Sequence, residues 1–252
     1  MKQLIAKIIK NNCVCNAMIR GVQNTFVLFG KFFYEIQNVT YSQNCEDIIL
    51  DRLCTDNGTN NGFYVDIGAH HPIRFSNTYM LHKKGWRGIN VDPLPEVMEL
   101  FKKERPEDIN LNVGVSDIKG NLSYWMFEEP AYNTMDATRA QHVINEQYSP
   151  LKEKISVPVL SLSEIFDRYL PDNKKIDILD IDVEDYEIHV LKSNDWNIYR
   201  PRIVLIECYV DGSGDMRQVY SDEAVAYLVE QNYRVVAKVF NGTFMMDNLV
   251  EL

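Results

Sequence analysis

Acidic side chains stand at the ends of several short apolar runs in this chain of 252 residues. Asp182 follows the run Ile176–Ile181, and Glu207 follows the run Ile203–Ile206. Two or three carboxylates brought to one edge of a sheet could hold a hard divalent cation. They could instead supply a general base, because like charges raise the pKa of a neighbouring carboxyl group. Asp182 and Glu207 are therefore predicted as catalytic residues and as metal ligands, with a solvated acidic rim as the plain alternative.

A glycine turn provides the second chemical feature. The segment Tyr64–His70 reads as a strand that runs into this turn. Gly68 lets the backbone approach a ligand closely, and Ala69 keeps the following turn narrow. Asp66 before a single glycine suits a cationic ligand such as a sulfonium group, whereas a pyrophosphate-binding G-x-G-x-x-G loop is missing. His70 beside the turn could orient a substrate or accept a proton.

Two further polar positions follow strand-like runs. Asp92 ends the second apolar run, about 20 residues beyond the glycine turn, where an acid commonly accepts hydrogen bonds from ribose hydroxyls. It could instead cap a helix that has Pro93 at its first position. Ser116 and Asp117 follow a third run over residues 109–115 and could contact an adenine. An ordinary turn is the alternative for this pair.

The apolar runs alternate with stretches of helical spacing, such as Pro95–Lys103 and Ser163–Tyr169. This alternation predicts an α/β fold with a mostly parallel sheet and helices on both faces. Ligands of such open sheets bind at the carboxyl ends of the strands, which is where the acidic residues stand. The last two runs, Tyr233–Val239 and Thr243–Leu249, flank Asn241-Gly242 and predict a C-terminal antiparallel hairpin.

Residues 1–40 differ from the rest of the chain in charge and in pattern. Residues 1–34 contain basic side chains and no acidic one, and apolar residues from Met18 to Ile36 recur at the spacing of one helix face. We expect an N-terminal helical arm over residues 1–40, followed by a catalytic domain over residues 41–252. The arm is expected to pack on its own domain or to join subunits in a homo-oligomer, and contact with an anionic membrane is the alternative.

The overall composition argues against several partners and locations. The chain has 26 basic and 36 acidic residues, for a net charge of -10, so nucleic acid is not expected as a partner. Its five cysteines lack the spacing of a zinc site. No run reaches the roughly 18 apolar residues of a membrane span. A cytoplasmic protein with free thiols is therefore expected.

Five motifs follow one another in an order typical of one family: Ser42-Gln43-Asn44-Cys45-Glu46-Asp47, Val65-Asp66-Ile67-Gly68-Ala69-His70, Ser76-Asn77-Thr78, Gly85-Trp86-Arg87-Gly88 and Asp180-Ile181-Asp182-Val183-Glu184-Asp185-Tyr186-Glu187. Over about residues 41–210 the chain resembles the FkbM family of S-adenosylmethionine-dependent methyltransferases. The resemblance implies a Rossmann-like class I methyltransferase fold and methylation of hydroxyl oxygens, often on sugars or polyketides. One position departs from the family pattern, because Asp185 stands where glycine is usual.

The resemblance also implies roles for individual residues. It assigns Asp66, Gly68 and Ala69 to the methionine end of the cofactor, Asp92 to the ribose, and Ser116 with Asp117 to the adenine. Gln43 matches a polar position near the cofactor, and His70 and Pro93 are also predicted to bind the cofactor.

The function predicted from the sequence is an O-methyltransferase that transfers a methyl group from S-adenosylmethionine to a hydroxyl of a sugar. A nucleotide-linked sugar for surface glycan synthesis is one acceptor considered. Asp182, Glu207 and His70 are the candidates for removing the hydroxyl proton, directly or, for the two acids, through a divalent metal ion. A non-catalytic α/β protein that binds nucleotide sugars is the alternative.

Overall fold

The computed structural model describes residues 38–56, 58–59, 61–208 and 216–249. From Thr40 onward these residues belong to one compact unit. Most of the predicted helical arm, residues 1–37, lies outside the described residues, so its roles in subunit or membrane contact stay predictions. Within the described ranges, no helix is both long and apolar enough to cross a membrane.

The strands divide between a main sheet and a smaller one. In chain order they are β1 (Phe63–Ile67), β2 (Arg87–Val91), β3 (Ile109–Leu111), β4 (Gly114–Val115), β5 (Gly120–Phe127), β6 (Leu151–Leu160), β7 (Ile178–Ile181), β8 (Ile203–Glu207), β9 (Tyr233–Val239) and β10 (Gly242–Asp247). The main sheet has the order β3-β2-β1-β7-β8-β10-β9. Its first five strands are parallel, and β10 is antiparallel to both β8 and β9. The predicted mostly parallel α/β sheet with a C-terminal hairpin is confirmed.

Helices cover both faces of this sheet. They are α1 (Glu46–Asp56), α2 (Tyr79–Lys83), α3 (Pro95–Glu104), α4 (Ala137–Asn145), α5 (Leu162–Tyr169), α6 (Glu187–Lys192) and α7 (Glu223–Glu230). Side chains alternate along each strand: in β1, Val65 and Ile67 pack into the cluster that contains α5, α6 and α7, whereas Tyr64 packs with α1 and α2. Both faces of β1 are therefore buried, and the open end of the sheet remains for a ligand.

The order of strands reverses direction between β1 and β7, the strands that start the two halves of the sheet. Such a switch point opens a crevice at the carboxyl ends of the strands, because the connections leave in opposite directions. Gly68 follows β1 at this point, and Asp182 follows β7.

The smaller sheet corrects one expectation from the sequence. Residues 109–115 do not form a single strand: β3 pairs with β2 in the main sheet, whereas β4 pairs with β6 in a second sheet of order β4-β6-β5. The short break at Asn112 and Val113 lets the chain leave the main sheet. Strands β5 and β6 then form a wall that packs against α3 and faces the crevice.

Candidate active site

A cavity of about 440 Å³ occupies the crevice between the strand ends and the smaller sheet. Its floor is formed by the residues that end β1, β2, β7 and β8, and Tyr124, Met126 and Lys152 come from the smaller sheet. Cavities of this size are typical of small-molecule sites. All the acidic residues predicted at strand ends, apart from Asp117, line this one cavity.

The glycine turn forms the narrowest part of the floor. Gly68 has a φ of +83°, and a Cβ atom there would overlap the carbonyl oxygen of Asp182. The amides of Gly68 and Ala69 both donate to the Val91 carbonyl, at 3.0 and 3.1 Å. Only glycine combines this backbone conformation with such a close approach of β1 to the residue after β7.

Asp92 is buried beside this turn. Its carboxylate accepts hydrogen bonds from the amides of Leu94, at 2.8 Å, and His70, at 3.1 Å. Burial raises the pKa of Asp92 to about 7, although both amide bonds act to lower it. Helix α3 begins at Pro95 after Leu94, so Asp92 is not its N-cap. Pro93 also lines the cavity.

A pair of carboxyl groups lies where the two halves of the main sheet meet. Asp66 of β1 and Asp180 of β7 are direct neighbours in register. The Thr78 hydroxyl donates to Asp66 at 2.6 Å, and the Asn77 amide donates to Asp180 at 3.3 Å. Burial raises the pKa of both carboxyl groups, and the negative charge of Asp66 raises that of Asp180 further. The motif Ser76-Asn77-Thr78 thus satisfies acids that would be costly to bury alone.

Three acids form a cluster on the other side of the glycine turn. Asp182, Glu184 and Glu207 can each bring one carboxylate oxygen within 4.8 Å of the others. Desolvation inside the cavity and the negative charge of Glu207 raise the pKa of Asp182. The same causes raise that of Glu184 to about 7, although Arg139 acts to lower it. Asp182 is exposed to the cavity itself. Such a cluster could hold a hard cation or supply a base that works near neutral pH.

Glu184 is the member that the sequence analysis did not select. It follows β7 by three residues, and its backbone bends back in the left-handed region, with a φ of +55°. Thr134 donates to its carbonyl at 2.7 Å, and Arg139 lies 2.6 Å from its carboxylate. The motif from Asp180 to Glu187 contains Glu184 and is the sequence feature that could have identified it. Strand periodicity alone does not place it beside Asp182.

His70 also faces the cavity, with a φ of +53°. Its Nε2 atom is buried and has no hydrogen-bond partner among the described residues. Burial, reinforced by the nearby Arg74 charge, lowers the pKa of His70. The imidazole is therefore neutral at pH 7 and has a nitrogen that could accept a proton.

The predicted cofactor residues separate into two groups. Gln43, Asp66, Gly68, Ala69, His70, Asp92 and Pro93 all line the cavity. Ser116 and Asp117 do not: the Ser116 and Tyr186 hydroxyls lie 2.9 Å apart, and Asp117 pairs with His189 at 2.9 Å. The residues just before them, from Val113 to Val115, line the cavity instead. An adenine contact by Ser116 or Asp117 stays a prediction.

Residues 66–235 match the family described as the methyltransferase FkbM domain. The chain belongs to this family. It is thus a methyltransferase, and its strand order, with β10 inserted antiparallel between β8 and β9, is the Rossmann-like class I methyltransferase fold.

Two solved structures are similar to the chain at low identity. One is the O-methyltransferase from Bacillus cereus in complex with SAH, at 11% identity and a TM-score of 0.39, with 88% of each chain covered. The other is monomeric WbdD, at 13% identity and a TM-score of 0.41, with 82% of this chain and 42% of that chain covered. No curated protein matches the chain.

The FkbM domain also accommodates its departure from the usual family glycine. Asp185 has a φ of +69°, so the left-handed conformation that favours glycine is kept. Aspartate tolerates this region better than most residues do. Arg139 Nε lies 3.7 Å from the Asp185 carboxylate. The turn that carries Glu184 is therefore preserved without a glycine.

Proposed function

We propose that this FkbM methyltransferase transfers the methyl group of S-adenosylmethionine to a hydroxyl oxygen of a sugar. The observation that carries the proposal is a single cavity that is lined by Asp92, by the Gly68 turn and by the three-acid cluster. Asp92 and the turn suit a nucleoside, and the cluster suits the removal of a proton.

The residues that line the cavity fit the cofactor. Asp92 offers a buried carboxylate for ribose hydroxyls. Gly68 lines the cavity, so a ligand could approach its backbone. Asp66 and Asp180 place two carboxyl groups in the cavity lining, and a bound sulfonium or ammonium group would favour their ionised forms. When bound, S-adenosylmethionine supplies an electrophilic methyl group for direct displacement by oxygen.

The chain's own contribution is to align the acceptor and to take its proton. Asp182, Glu184 and Glu207 are base candidates, because their carboxyl groups lie together in the cavity. The pKa of Asp182 is raised, and that of Glu184 is raised to about 7. His70, neutral with a buried Nε2, is the fourth. A divalent cation held by Asp182, Glu184 and Glu207 is the alternative means of lowering the hydroxyl pKa.

Chelation distinguishes the two mechanisms. If a cation assists, EDTA should remove most turnover while S-adenosylmethionine still binds, and adding back magnesium or manganese should restore it. If a carboxylate acts alone, EDTA should have no effect, and Asp182→Asn should still abolish turnover. Full activity in EDTA would exclude the metal route.

Aromatic side chains support a carbohydrate acceptor. Tyr124 and Phe127 line the cavity from the smaller sheet. Although both are mostly buried, the parts that reach the cavity could pack against the apolar face of a sugar ring. Mass spectrometry of nucleotide sugars and sugar phosphates incubated with methyl-labelled S-adenosylmethionine tests the proposal. We expect one labelled methyl group on a sugar oxygen. Tight acceptor binding without label transfer would favour the non-catalytic nucleotide-sugar binder.

The proposed compartment is the cytoplasm. Cys45, Cys54 and Cys208 are free thiols in the described part of the chain, and reduced thiols are usual in a cytoplasmic protein.

A further inference from the structure

The charges that line the cavity indicate how the acceptor is recognised. This inference rests on the proposed function. Its floor is acidic, and the chain as a whole has a net charge of -10. Among the described residues that line the cavity, the lysine and arginine side chains are Arg74 and Lys152. Both are exposed, so they belong to the mouth of the cavity and not to its floor.

Arg74 is held in place from two sides. Its guanidinium lies 4.2 Å from the centre of the Phe75 ring, a cation–π contact. It also lies 3.7 Å from the Glu129 carboxylate, and about half of its side chain remains exposed. Because 3.7 Å exceeds the length of a hydrogen bond, this pair orients Arg74 and leaves its N–H donors for a ligand.

The turn that carries Arg74 is anchored before any ligand binds. His71 Nδ1 accepts from the amides of Ile73, at 3.0 Å, and Arg74, at 2.9 Å. The fully buried Arg105 donates to the Pro72 carbonyl at one end of the turn and, at 2.7 Å, to the Ser76 hydroxyl at the other.

Phe75 occupies a costly conformation inside this turn. Its φ is +58°, and 41% of the residue is exposed. A bulky residue is rare in this backbone region, and such strain persists mainly at functional sites. The anchored turn therefore keeps an aromatic ring at the mouth, where it supports the Arg74 guanidinium.

Lys152 belongs to the same rim of the cavity. The segment that provides Glu129 is bonded to the segment that leads into Lys152: the Glu129 amide donates to Ser149 Oγ at 2.9 Å, and the Glu128 amide donates to the Pro150 carbonyl at 3.0 Å. No described carboxylate forms an ion pair with Lys152. Its ammonium charge is therefore not neutralised by a described residue.

These two cations select a class of ligand. The neighbouring His70 and His71 add no charge near neutral pH, because burial lowers the pKa of both. Two positive charges on one rim of the cavity match the double charge of a phosphate monoester or a diphosphate better than the single charge of a carboxylate. They also offset the repulsion between the acidic chain and an anionic acceptor.

We propose that Arg74 and Lys152 form a phosphate subsite at the mouth of the cavity, which binds the acceptor through a phosphoryl group. The sugar then lies between this subsite and the three-acid cluster. The phosphoryl group binds to Arg74 and Lys152, and the sugar hydroxyl that lies nearest the three-acid cluster is the group that is methylated.

Calorimetry on the full chain saturated with S-adenosylhomocysteine tests the subsite, with inorganic pyrophosphate as the probe. We expect pyrophosphate to bind and added salt to weaken the binding, as for any exposed charge contact. Arg74→Gln and Lys152→Gln should each weaken it about tenfold, the usual effect of losing one charge-assisted hydrogen bond. Arg168→Gln and Lys103→Gln, each at an exposed position outside the cavity lining, are the charge-matched controls. Neither should change the affinity for pyrophosphate.

The outcomes separate this inference from the proposed function. No pyrophosphate binding by the wild-type chain, or equal affinity in the Arg74 and Lys152 variants, overturns the subsite while S-adenosylhomocysteine still binds. Failure of S-adenosylhomocysteine to bind counts against the proposed methyl transfer instead. Glucose 1-phosphate and UDP-glucose, titrated as further probes, distinguish a sugar phosphate from a nucleotide sugar. The affinity for whichever of these ligands binds must fall in the Arg74→Gln and Lys152→Gln variants.

Discussion

Asp92 offers the sharpest test of the cofactor site, because its two protonation states should bind the ribose differently. Burial raises its pKa to about 7 from an ordinary value of 3.8. An ionised carboxylate accepts from two ribose hydroxyls, whereas a protonated one has lost an acceptor. The charges that face it are Asp66 and Glu96, and both raise its pKa further.

The size of the effect follows from this pKa. The ionised fraction of Asp92 rises from about a tenth at pH 6 to about nine tenths at pH 8. Affinity for S-adenosylhomocysteine should therefore rise about tenfold, or about 1.4 kcal/mol, over that range. Asp92→Asn keeps an acceptor for the Leu94 amide. It should weaken binding at pH 8 by about 1.5–3 kcal/mol, because charge-assisted hydrogen bonds are lost.

Isothermal titration at both pH values measures this difference. Asp92→Asn should abolish most of the pH dependence, whereas Asp167→Asn, the same change at an exposed position of α5, should leave it intact. A wild-type affinity that does not change with pH, or an Asp92→Asn variant that binds as tightly as wild type, would refute the ribose contact.

The raised pKa of Asp92 also has a consequence for stability. The folded protein holds this proton at pH values where the unfolded chain has lost it. The resulting stabilisation is complete below the ordinary pKa of 3.8 and is lost as the pH rises through about 7. The free energy of unfolding of Asp92→Asn should therefore vary less with pH than that of the wild type, as measured by urea denaturation without cofactor.

Further predictions concern the turns and the arm. Gly68→Ala should lower the free energy of unfolding by more than about 2 kcal/mol, because its Cβ overlaps the Asp182 carbonyl. Gly120→Ala, also at a positive φ but in open space, should cost less. Urea denaturation compares the two, and equal losses would contradict the overlap. By the same assay, Asp185→Val should cost about 1–3 kcal/mol more than Asp185→Gly, because a β-branched residue is strained at a φ of +69°. Deleting residues 1–34 should leave cofactor binding intact but change the mass measured by light scattering; an unchanged mass and solubility would argue against subunit contact.

The sequence contains enough information to predict the sheet, because strand burial and helix spacing are local patterns. Acids such as Asp92 and Asp182 stand directly after apolar runs, and the parallel topology brings strand ends together. The division of residues 109–115 between two sheets was missed, since only pairing partners distant in the sequence distinguish β3 from β4.

Contacts between distant segments explain what else the sequence could not provide. Glu184 joins Asp182 through a left-handed turn fixed by Thr134, fifty residues earlier in the chain. Asp117 faces His189 and not the cavity, because the Val115 strand belongs to the smaller sheet. Neither contact produces a periodic pattern in the sequence, so neither could be predicted from it.

Titration of the full chain with S-adenosylmethionine and, separately, with NAD tests the central claim most directly. The structure of the cavity predicts one S-adenosylmethionine bound per chain, an affinity that falls in Asp92→Asn, and no binding of NAD. Binding of NAD without binding of S-adenosylmethionine would contradict the account, because the turn at Gly68 would then hold a pyrophosphate and not the methionine end of a methyl donor.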